Sequence, residues 1–197
     1  VTYPFTSIAG DVEFTEPVIG ERIDVFNTEG RVPLGLLPAL IEDADAARAR
    51  IDRLLERADV IKASDEDLHW IDPARTPEQI ASGWLALGPS IVVVTMGADG
   101  AIAMCAAGTV RVRAFDVDVV DTVGAGDAFM TGLIDSLWSL DLLGADQRSN
   151  LAAIDTATLT TSVRAAALTA ALTVARAGAD LPDRARRDTA ASSAILG

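Results

Sequence analysis

The run Ile91-Val92-Val93-Val94-Thr95 constrains the fold more than any other stretch of the sequence. It is almost entirely β-branched and shows no alternation of apolar and polar residues, which predicts a strand buried on both faces. Such a strand needs a layer of helices on each side. Helical patterns precede and follow it, and this alternation predicts an α/β layered fold with a mainly parallel sheet flanked by helices.

The other elements follow from periodicity and turn signals. Val60-Ile61-Lys62 predicts a short strand, and Thr76-Pro77 predicts the start of a helix that runs to Leu87. Beyond the central strand we expect a hairpin over 101–106 and 109–114, a strand over 117–120, a helix over 128–140 and a final helix over 163–177. The 128–140 helix has two apolar rows, one of which includes Trp138, and this predicts burial on most of its sides.

The composition argues against several classes of function. The 16 basic and 29 acidic residues give a net charge of −13, which disfavours broad nucleic-acid binding. The single cysteine, Cys105, excludes an internal disulfide framework and a cysteine zinc site. We find no apolar run long enough to span a bilayer and no leader pattern. We therefore expect no membrane partner and a cytoplasmic location.

The segment V-D-T-V-G-A-G-D-A-F, from Val120 to Phe129, carries the most specific chemistry. A predicted strand leads into a loop of small residues, and an apolar helix begins at once. The first amides of a helix have no partner within the helix, and the helix dipole adds positive potential there. Gly124, Ala125 and Gly126 would let an anion approach these amides closely, and Asp127 would lie beside it as a proton acceptor.

A simpler interpretation is a glycine-rich turn whose aspartate caps the helix, and it would be preferred for an isolated G-x-G. The full string D-T-V-G-A-G-D, between a strand and a helix, resembles the signature of the ribokinase/PfkB carbohydrate kinases. The resemblance runs from about Leu40 to Leu181 and is nearest to bacterial fructokinases. It implies a ribokinase-like fold and ATP-dependent phosphorylation of a sugar hydroxyl, with Mg²⁺ and possible use of K⁺.

The resemblance assigns roles to individual residues. Asp127 would be the base that deprotonates the sugar hydroxyl, and the amides of Gly124, Ala125 and Gly126 would form the anion hole. Asp121 would help to hold the monovalent cation. Backbone carbonyls would complete that cation site, and they belong to Val123, Thr173, Arg176 and Gly178.

Three further segments would bind the nucleotide. Thr95, Gly97 and Gly100 resemble the family's T-x-G-x-x-G, although a plain turn after a strand explains them too. Ala171 and Gly178 lie in an alanine-rich helix and loop that resemble the border of the adenine pocket, where ordinary helix packing with a glycine cap is the alternative.

The third segment departs from the family pattern. The family's N-x-x-E is replaced by Ser64 and Asp67, which together with Lys62 would meet phosphate and, through Asp67, Mg²⁺. A capping box between Ser64 and Asp67 explains the same two residues equally well.

The N-terminal region matches the resemblance poorly. We expect residues 1–39 to form a strand-rich or irregular segment and residues 40–182 to form the nucleotide-binding and catalytic part. Residues 183–197 would be a tail that frays. The family's G-G-x-x-x-N-x-A and D-x-N motifs are absent, and Asp24 would be a sugar ligand only with a spacing that is off by one. A sheet without its first strands has an open edge, which predicts a homodimer or pairing with a missing N-terminal part.

Two functions remain open at this point. The first is a fructokinase-like sugar kinase, for which a nucleoside or 2-keto-3-deoxygluconate is an alternative substrate. The second is a catalytically incomplete kinase remnant that serves as a nucleotide-binding or assembly module. The missing sugar-side motifs favour the second, and the intact D-T-V-G-A-G-D favours the first.

Overall fold

The computed structural model describes residues 44–195, with side chains described over 48–192. Asp24 and the N-terminal segment therefore lie outside the described residues. Helices α1 to α7 and strands β1 to β4 occur in this order: α1 (Ala44–Leu55), β1 (Val60–Ser64), α2 (Asp65–Ile71), α3 (Pro77–Leu85), β2 (Ile91–Thr95), β3 (Ala101–Cys105), β4 (Gly108–Val112), α4 (Ala125–Ser139), α5 (Arg148–Ala152), α6 (Thr156–Val174) and α7 (Arg184–Ile195).

The sheet confirms the predicted α/β layering. Its order is β1-β2-β3-β4 among the described strands. β1 pairs with β2 in parallel, with Ser64 opposite Thr95, whereas β2–β3 and β3–β4 are antiparallel. The described sheet is thus mixed rather than mainly parallel. Short turns join β2 to β3 and β3 to β4, and such turns can join only antiparallel strands.

Two hydrophobic cores lie on the two faces of the sheet, as the apolar β2 run requires. Val92 and Val94 pack against α1, α2 and α3, and Ile91 and Val93 pack against α4, α5 and α6. The first four residues of β2 are fully buried. The prediction of a strand buried on both faces is therefore confirmed.

The segment 117–120 is not a strand, so that prediction is wrong. Val119 and Val120 are 62% and 61% exposed. The chain leaves the sheet after Val112, and the Val120 N–H donates instead to the Val174 carbonyl at 2.8 Å. β-Branched residues favour extended backbone, but a strand also needs a neighbouring strand for its hydrogen bonds.

Helix α4 is buried on one side only, which corrects the expectation of burial on most sides. Phe129, Leu133 and Leu137 are in the core, whereas Ile134 is 47% and Trp138 is 71% exposed. The buried row packs against α6 and the sheet. Met130, at the start of the other row, is partly buried against the same core, so exposure increases along that row toward Trp138.

The C-terminal helices differ from expectation in their bounds. α6 begins at Thr156 rather than near Val163, because the Asp155 side chain accepts the Thr158 N–H at 2.7 Å and caps it. By length and composition alone α6 is apolar enough to cross a membrane, which the sequence analysis did not expect, and 44% of its most apolar 18-residue window is buried inside the protein. Residues 184–195, expected to fray, form α7, where Arg184 and Arg187 pair with Asp135 of α4.

Candidate active site

The loop before α4 has the backbone that the signature requires. Gly124 is the N-cap residue of α4 and adopts the left-handed conformation, with φ +79°. A Cβ at this position would lie 2.7 Å from the Cβ of Ala179, in the loop after α6. Both the conformation and the contact call for glycine. Gly124 therefore sets how closely the two loops approach each other.

The start of α4 retains unpaired backbone donors. The N–H of Ala125 donates to the Thr122 carbonyl at 3.2 Å, so this amide of the expected anion hole is engaged internally. The amides of Gly124, Gly126 and Asp127 donate no hydrogen bond to any residue that the structure describes. The helix also has no side-chain cap. An anion bound here would satisfy three backbone donors at the positive end of a helix dipole.

Asp127 lies in the first turn of α4 and is exposed. Its carboxylate accepts no hydrogen bond from the described residues, and its backbone carbonyl accepts one from the Thr131 hydroxyl at 2.8 Å. An exposed carboxylate beside free amides can take up a proton from a hydroxyl that is brought next to a bound phosphoryl group. The exposed carboxylate and the unpaired amides of Gly124 and Gly126 agree with the expected geometry and the engaged Ala125 amide does not, and the roles of base and anion hole stay predictions.

Asp121 joins the signature loop to the loop after α6. Its carboxylate accepts the Val123 N–H at 3.0 Å and the Gly178 N–H at 2.9 Å. These backbone hydrogen bonds, that from Val123 first, hold the pKa of Asp121 below its ordinary value of 3.8. Asp121 and Gly178, both expected at the cation site, are thus brought together.

The other residues expected near this loop have different environments. Thr173 is buried, and its carbonyl already accepts the Arg176 N–H at 3.1 Å. The Arg176 guanidinium pairs with Asp180 at 2.7 Å on the surface. Ala171 is buried in α6, so its side chain faces the protein interior. Ordinary helix packing therefore accounts for the Ala171 side chain.

The carboxyl ends of β1 and β2 form a second group of predicted residues. Ser64 and Thr95 are register partners there, and the Thr95 hydroxyl donates to the Ala63 carbonyl at 3.4 Å. Lys62 lies half-buried within β1. Ligands of α/β proteins commonly bind at the carboxyl edge of parallel strands. The position of Ser64 and Thr95 is compatible with a nucleotide site.

Two glycines after β2 have different structural roles. Gly97 is exposed at φ +53°, and a Cβ there would meet nothing within 4 Å. Gly100 is buried at φ +92°, and its Cβ would lie 2.1 Å from the Val112 carbonyl oxygen. Chain packing therefore explains Gly100 without a ligand, and Gly97 alone leaves open space beside its backbone.

Ser64 and Asp67 form the capping box. The Ser64 hydroxyl accepts the Asp67 N–H at 3.1 Å, and the Asp67 carboxylate accepts the Ser64 N–H at 3.0 Å. The structural interpretation of this pair is therefore realised, and Mg²⁺ binding at Asp67 remains a prediction.

Sequence reasoning missed two contributors to the site. The Val174 carbonyl accepts the N–H groups of both Val120 and Asp121, at 2.8 and 3.1 Å. Ala179 abuts Gly124. A backbone carbonyl can come from any residue type, and an alanine in a loop has no distinctive pattern. No signal in a single sequence would have identified either one.

Comparison with known proteins identifies the family to which the chain belongs. Residues 17–186 match the pfkB family carbohydrate kinase domain. The chain belongs to the PfkB family. The predicted family and the predicted layered fold are both confirmed by this match and by the solved structures described next.

Curated and solved relatives in the PfkB family are longer than this chain. A fructokinase of Rhizobium leguminosarum bv. trifolii is 40% identical over 58% of this chain and 35% of its own length. Aminoimidazole riboside kinase from Salmonella enterica, in complex with aminoimidazole riboside and an ATP analogue, gives a TM-score of 0.63 at 29% identity. That match covers 78% of this chain and 49% of the Salmonella kinase.

A second solved structure supports the same fold. Fructokinase from Vibrio cholerae O395, bound to fructose, ADP and a calcium ion, gives a TM-score of 0.63 at 28% identity and covers 77% of this chain and 46% of its own. The chain thus spans about half or less of the length of these PfkB relatives.

Proposed function

We propose that this chain carries the phosphoryl-transfer part of an ATP-dependent, fructokinase-like sugar kinase. The observation that carries the proposal is the start of α4, where the exposed Asp127 carboxylate adjoins the unpaired amides of Gly124 and Gly126. Membership of the PfkB family supports it. Phosphoryl transfer needs charge neutralisation and an acceptor for the hydroxyl proton, and this short segment offers both.

The proposed mechanism uses the two groups together. The amides of Gly124 and Gly126, with that of Asp127, hold the transferring phosphoryl oxygens, and the helix dipole favours their negative charge. Asp127 accepts the proton of the attacking hydroxyl as its oxygen bonds to the γ-phosphorus of ATP, while the bond from that phosphorus to the β–γ bridging oxygen breaks and ADP leaves. The Ala125 amide, which already bonds to Thr122, would contribute only if that 3.2 Å hydrogen bond opened.

The nucleotide would extend from this loop toward the carboxyl edge of β1 and β2. Thr95 and Gly97 would line its path, with Lys62 and Ser64 close to phosphate. Gly178 would lie on the adenine side with the backbone near Ala171. The open space at Gly97 and the pairing of Ser64 with Thr95 support this path.

Metal ions would complete the charge balance. Mg²⁺ bound with the nucleotide would neutralise phosphate charge, and Asp67 can still offer its carboxylate because only one of its oxygens is hydrogen-bonded within the described region. For K⁺, the groups present are of a suitable type because they are oxygen donors, and the Asp121 carboxylate adjoins the Gly178 loop. The carbonyls of Val123, Thr173, Arg176 and Gly178 would supply the other oxygens.

The proposed site constrains the identity of the hydroxyl substrate less than that of the phosphoryl donor, ATP. The signature handles phosphate and one hydroxyl, so fructose, a nucleoside and 2-keto-3-deoxygluconate all remain candidates. The solved Salmonella enterica relative was bound to aminoimidazole riboside, and the Vibrio cholerae relative was bound to fructose. These complexes favour a sugar or a riboside. Acceptor contacts would come from Asp24, from a second copy of the chain, or from residues that correspond to the part of the longer relatives that this chain does not span.

A second candidate function is a nucleotide-binding or assembly module without turnover. The observation that favours it is the absence of the family's sugar-side motifs, G-G-x-x-x-N-x-A and D-x-N, from the given sequence. Such a module would keep the amides of α4 and bind ATP, but it would not bind a hydroxyl substrate to which the phosphoryl group could be transferred. Calorimetry with ATP, together with an ADP-release assay over fructose, ribose, adenosine and 2-keto-3-deoxygluconate, separates the two functions.

The substitution Asp127→Asn tests the proposed base. It keeps the size and the helix start but removes the proton acceptor, so turnover should fall by about 10²–10⁴ while ATP affinity is retained. The matched control is Asp146→Asn, which changes another exposed acidic residue in the first turn of a helical segment. Undiminished turnover in the Asp127→Asn protein would exclude this mechanism.

A further inference from the structure

Helices α4 and α6 carry the two halves of the proposed site. The first turn of α4 holds Asp127 and the free amides, and α6 ends at the Val174 carbonyl that accepts the N–H groups of Val120 and Asp121. The site therefore depends on how these two helices are placed against each other. They approach each other closely at Gly132, in the middle of α4.

Gly132 is buried against α6 with no room for a side chain. A Cβ there would lie 2.5 Å from the Thr169 hydroxyl oxygen and 2.8 Å from the Cα of Ala166. The Thr169 hydroxyl is fixed by its hydrogen bond to the Ala165 carbonyl at 2.8 Å. Thr169 is 1% exposed, so it cannot swing into solvent. One neighbour is backbone and the other is a locked side chain.

The contact lies at the same separation along each helix from the proposed site. Ser136, one turn after Gly132, bonds to the Ser162 hydroxyl at 3.2 Å, so the two helices run antiparallel. Gly132 is five positions from Asp127, and Thr169 is five positions from Val174. At 1.5 Å per residue, each separation is about 7.5 Å along a helix. A displacement at Gly132 is therefore transmitted to both ends of the site.

We propose that Gly132 is a positioning residue for phosphoryl transfer, in that it lets α4 and α6 approach closely enough for the α4 start to meet the loop after α6. The proposal rests on the proposed function for its catalytic part. Helix propensity argues against glycine here, because glycine in a helix interior costs about 1 kcal/mol relative to alanine. The contact with α6, which leaves no room for a Cβ, accounts for glycine at this position.

Gly132→Ala is the test, and Gly83→Ala is its control. Gly83 also lies inside a helix, α3, but a Cβ there meets only the end of the Arg75 side chain, at 3.6 Å. Gly83→Ala should leave the melting temperature equal or higher and leave the site unchanged. Gly132→Ala should lower turnover by about 10²-fold, the scale of a misplacement near 1 Å.

Hydrogen exchange separates this proposal from the kinase hypothesis. The amides of Val120, Asp121 and Gly178 bond across the two halves of the site. In the folded Gly132→Ala protein they should exchange at least about tenfold faster than in the Gly83→Ala protein. This readout needs no activity, so it remains informative if no acceptor is phosphorylated.

A double-mutant cycle tests whether Gly132 acts through Asp127. Gly132→Ala should cost little further turnover in an Asp127→Asn background, because both changes disable the same step. Thr169→Ala removes the nearest clashing atom and should restore part of both turnover and amide protection. It is also the background to use if Gly132→Ala alone does not fold. Unchanged exchange at all three amides in the folded Gly132→Ala protein would overturn the proposal. In the double variant the new Cβ still lies 2.8 Å from the Ala166 Cα, so exchange as slow as in Thr169→Ala alone would overturn it there.

Discussion

Helices α2 and α4 both place an aspartate at the third helical position, yet the two carboxylates have opposite environments. At α2, the Asp67 carboxylate accepts the N–H of the N-cap residue Ser64, and the Ser64 hydroxyl accepts the N–H of Asp67. At α4, Asp127 accepts no hydrogen bond from described residues, and the N-cap residue is Gly124. The same acidic position closes one helix start and leaves the other open.

The difference between the two starts lies in the N-cap residue. A serine in extended backbone, with φ −88°, has an oxygen to offer the first turn. A glycine at φ +79° has none, and its conformation turns the chain toward Ala179. Asp67 is therefore engaged in capping, because the N-cap residue of its helix carries a hydroxyl. Asp127 is available for chemistry, because the N-cap residue of its helix is a glycine. Substitutions of either N-cap residue test this difference between the two helix starts.

The largest effect is expected from Gly124→Ala. A non-glycine residue in the left-handed region costs roughly 1–2 kcal/mol, and the new Cβ would press on Ala179. The loop should shift and the affinity for ATP should fall at least about tenfold, the loss of one charge-assisted hydrogen bond. The measurement is calorimetric titration with ATP, together with thermal melting.

The matched control for Gly124→Ala is Gly144→Ala. Gly144 also has a positive φ, +123°, but a Cβ there has nothing within 4 Å and it lies outside the proposed site. Both variants should lose stability. Only Gly124→Ala should lose ATP affinity, and equal affinities in the two proteins would remove Gly124 from the anion hole.

Ser64→Ala should have a smaller effect, and it tests whether Ser64 at the start of α2 only caps the helix. Loss of an N-cap hydroxyl costs about 0.5–2 kcal/mol of stability. Thr76→Ala is a near-identical control, because Thr76 forms the same kind of capping box with Gln79 at the start of α3. If Ser64 only caps α2, the two variants lose similar stability and bind ATP equally well. If Ser64 also meets phosphate, ATP–Mg²⁺ binds more weakly to Ser64→Ala than to Thr76→Ala.

Sequence patterns predicted the parts of the fold that depend on local periodicity and on motif identity. The apolar run of β2, the capping boxes of α2 and α3, and the glycine loop before α4 are all encoded within a few neighbouring residues. The α4 start could be located because its glycines and aspartate occur in a fixed string. Its geometry could also be anticipated, since unpaired amides follow from the start of any helix.

The features that sequence reasoning got wrong depend on distant partners. Val119 and Val120 have strand-forming side chains but no neighbouring strand within the described sheet. Trp138 continues an apolar row, yet its side chain is 71% exposed. The close contact of Gly132 with Thr169 joins residues 37 positions apart, and nothing near either residue announces it. Tertiary context decided each of these, as it commonly overrides local preference.

The smallest expected effect concerns pH and the Asp121 carboxylate. Its folded pKa lies below the ordinary 3.8 because it accepts N–H groups of Val123 and Gly178. The ionised form therefore stabilises the joined loops at pH values above 3.8, and this contribution is lost as the pH falls through the lower folded pKa. Asp121→Asn should remove this acid dependence from the protection of the Gly178 amide.

Asp155→Asn is the control for that pH dependence. Asp155 also has a lowered pKa, chiefly because it accepts the Thr158 N–H at the start of α6, away from the signature loop. Both variants should flatten the acid limb of stability, measured by melting at a series of pH values. Only Asp121→Asn should change the exchange of the Gly178 amide at neutral pH. If Asp155→Asn changed it equally, the two loops would be joined by general stability of α6 rather than by the Asp121 carboxylate.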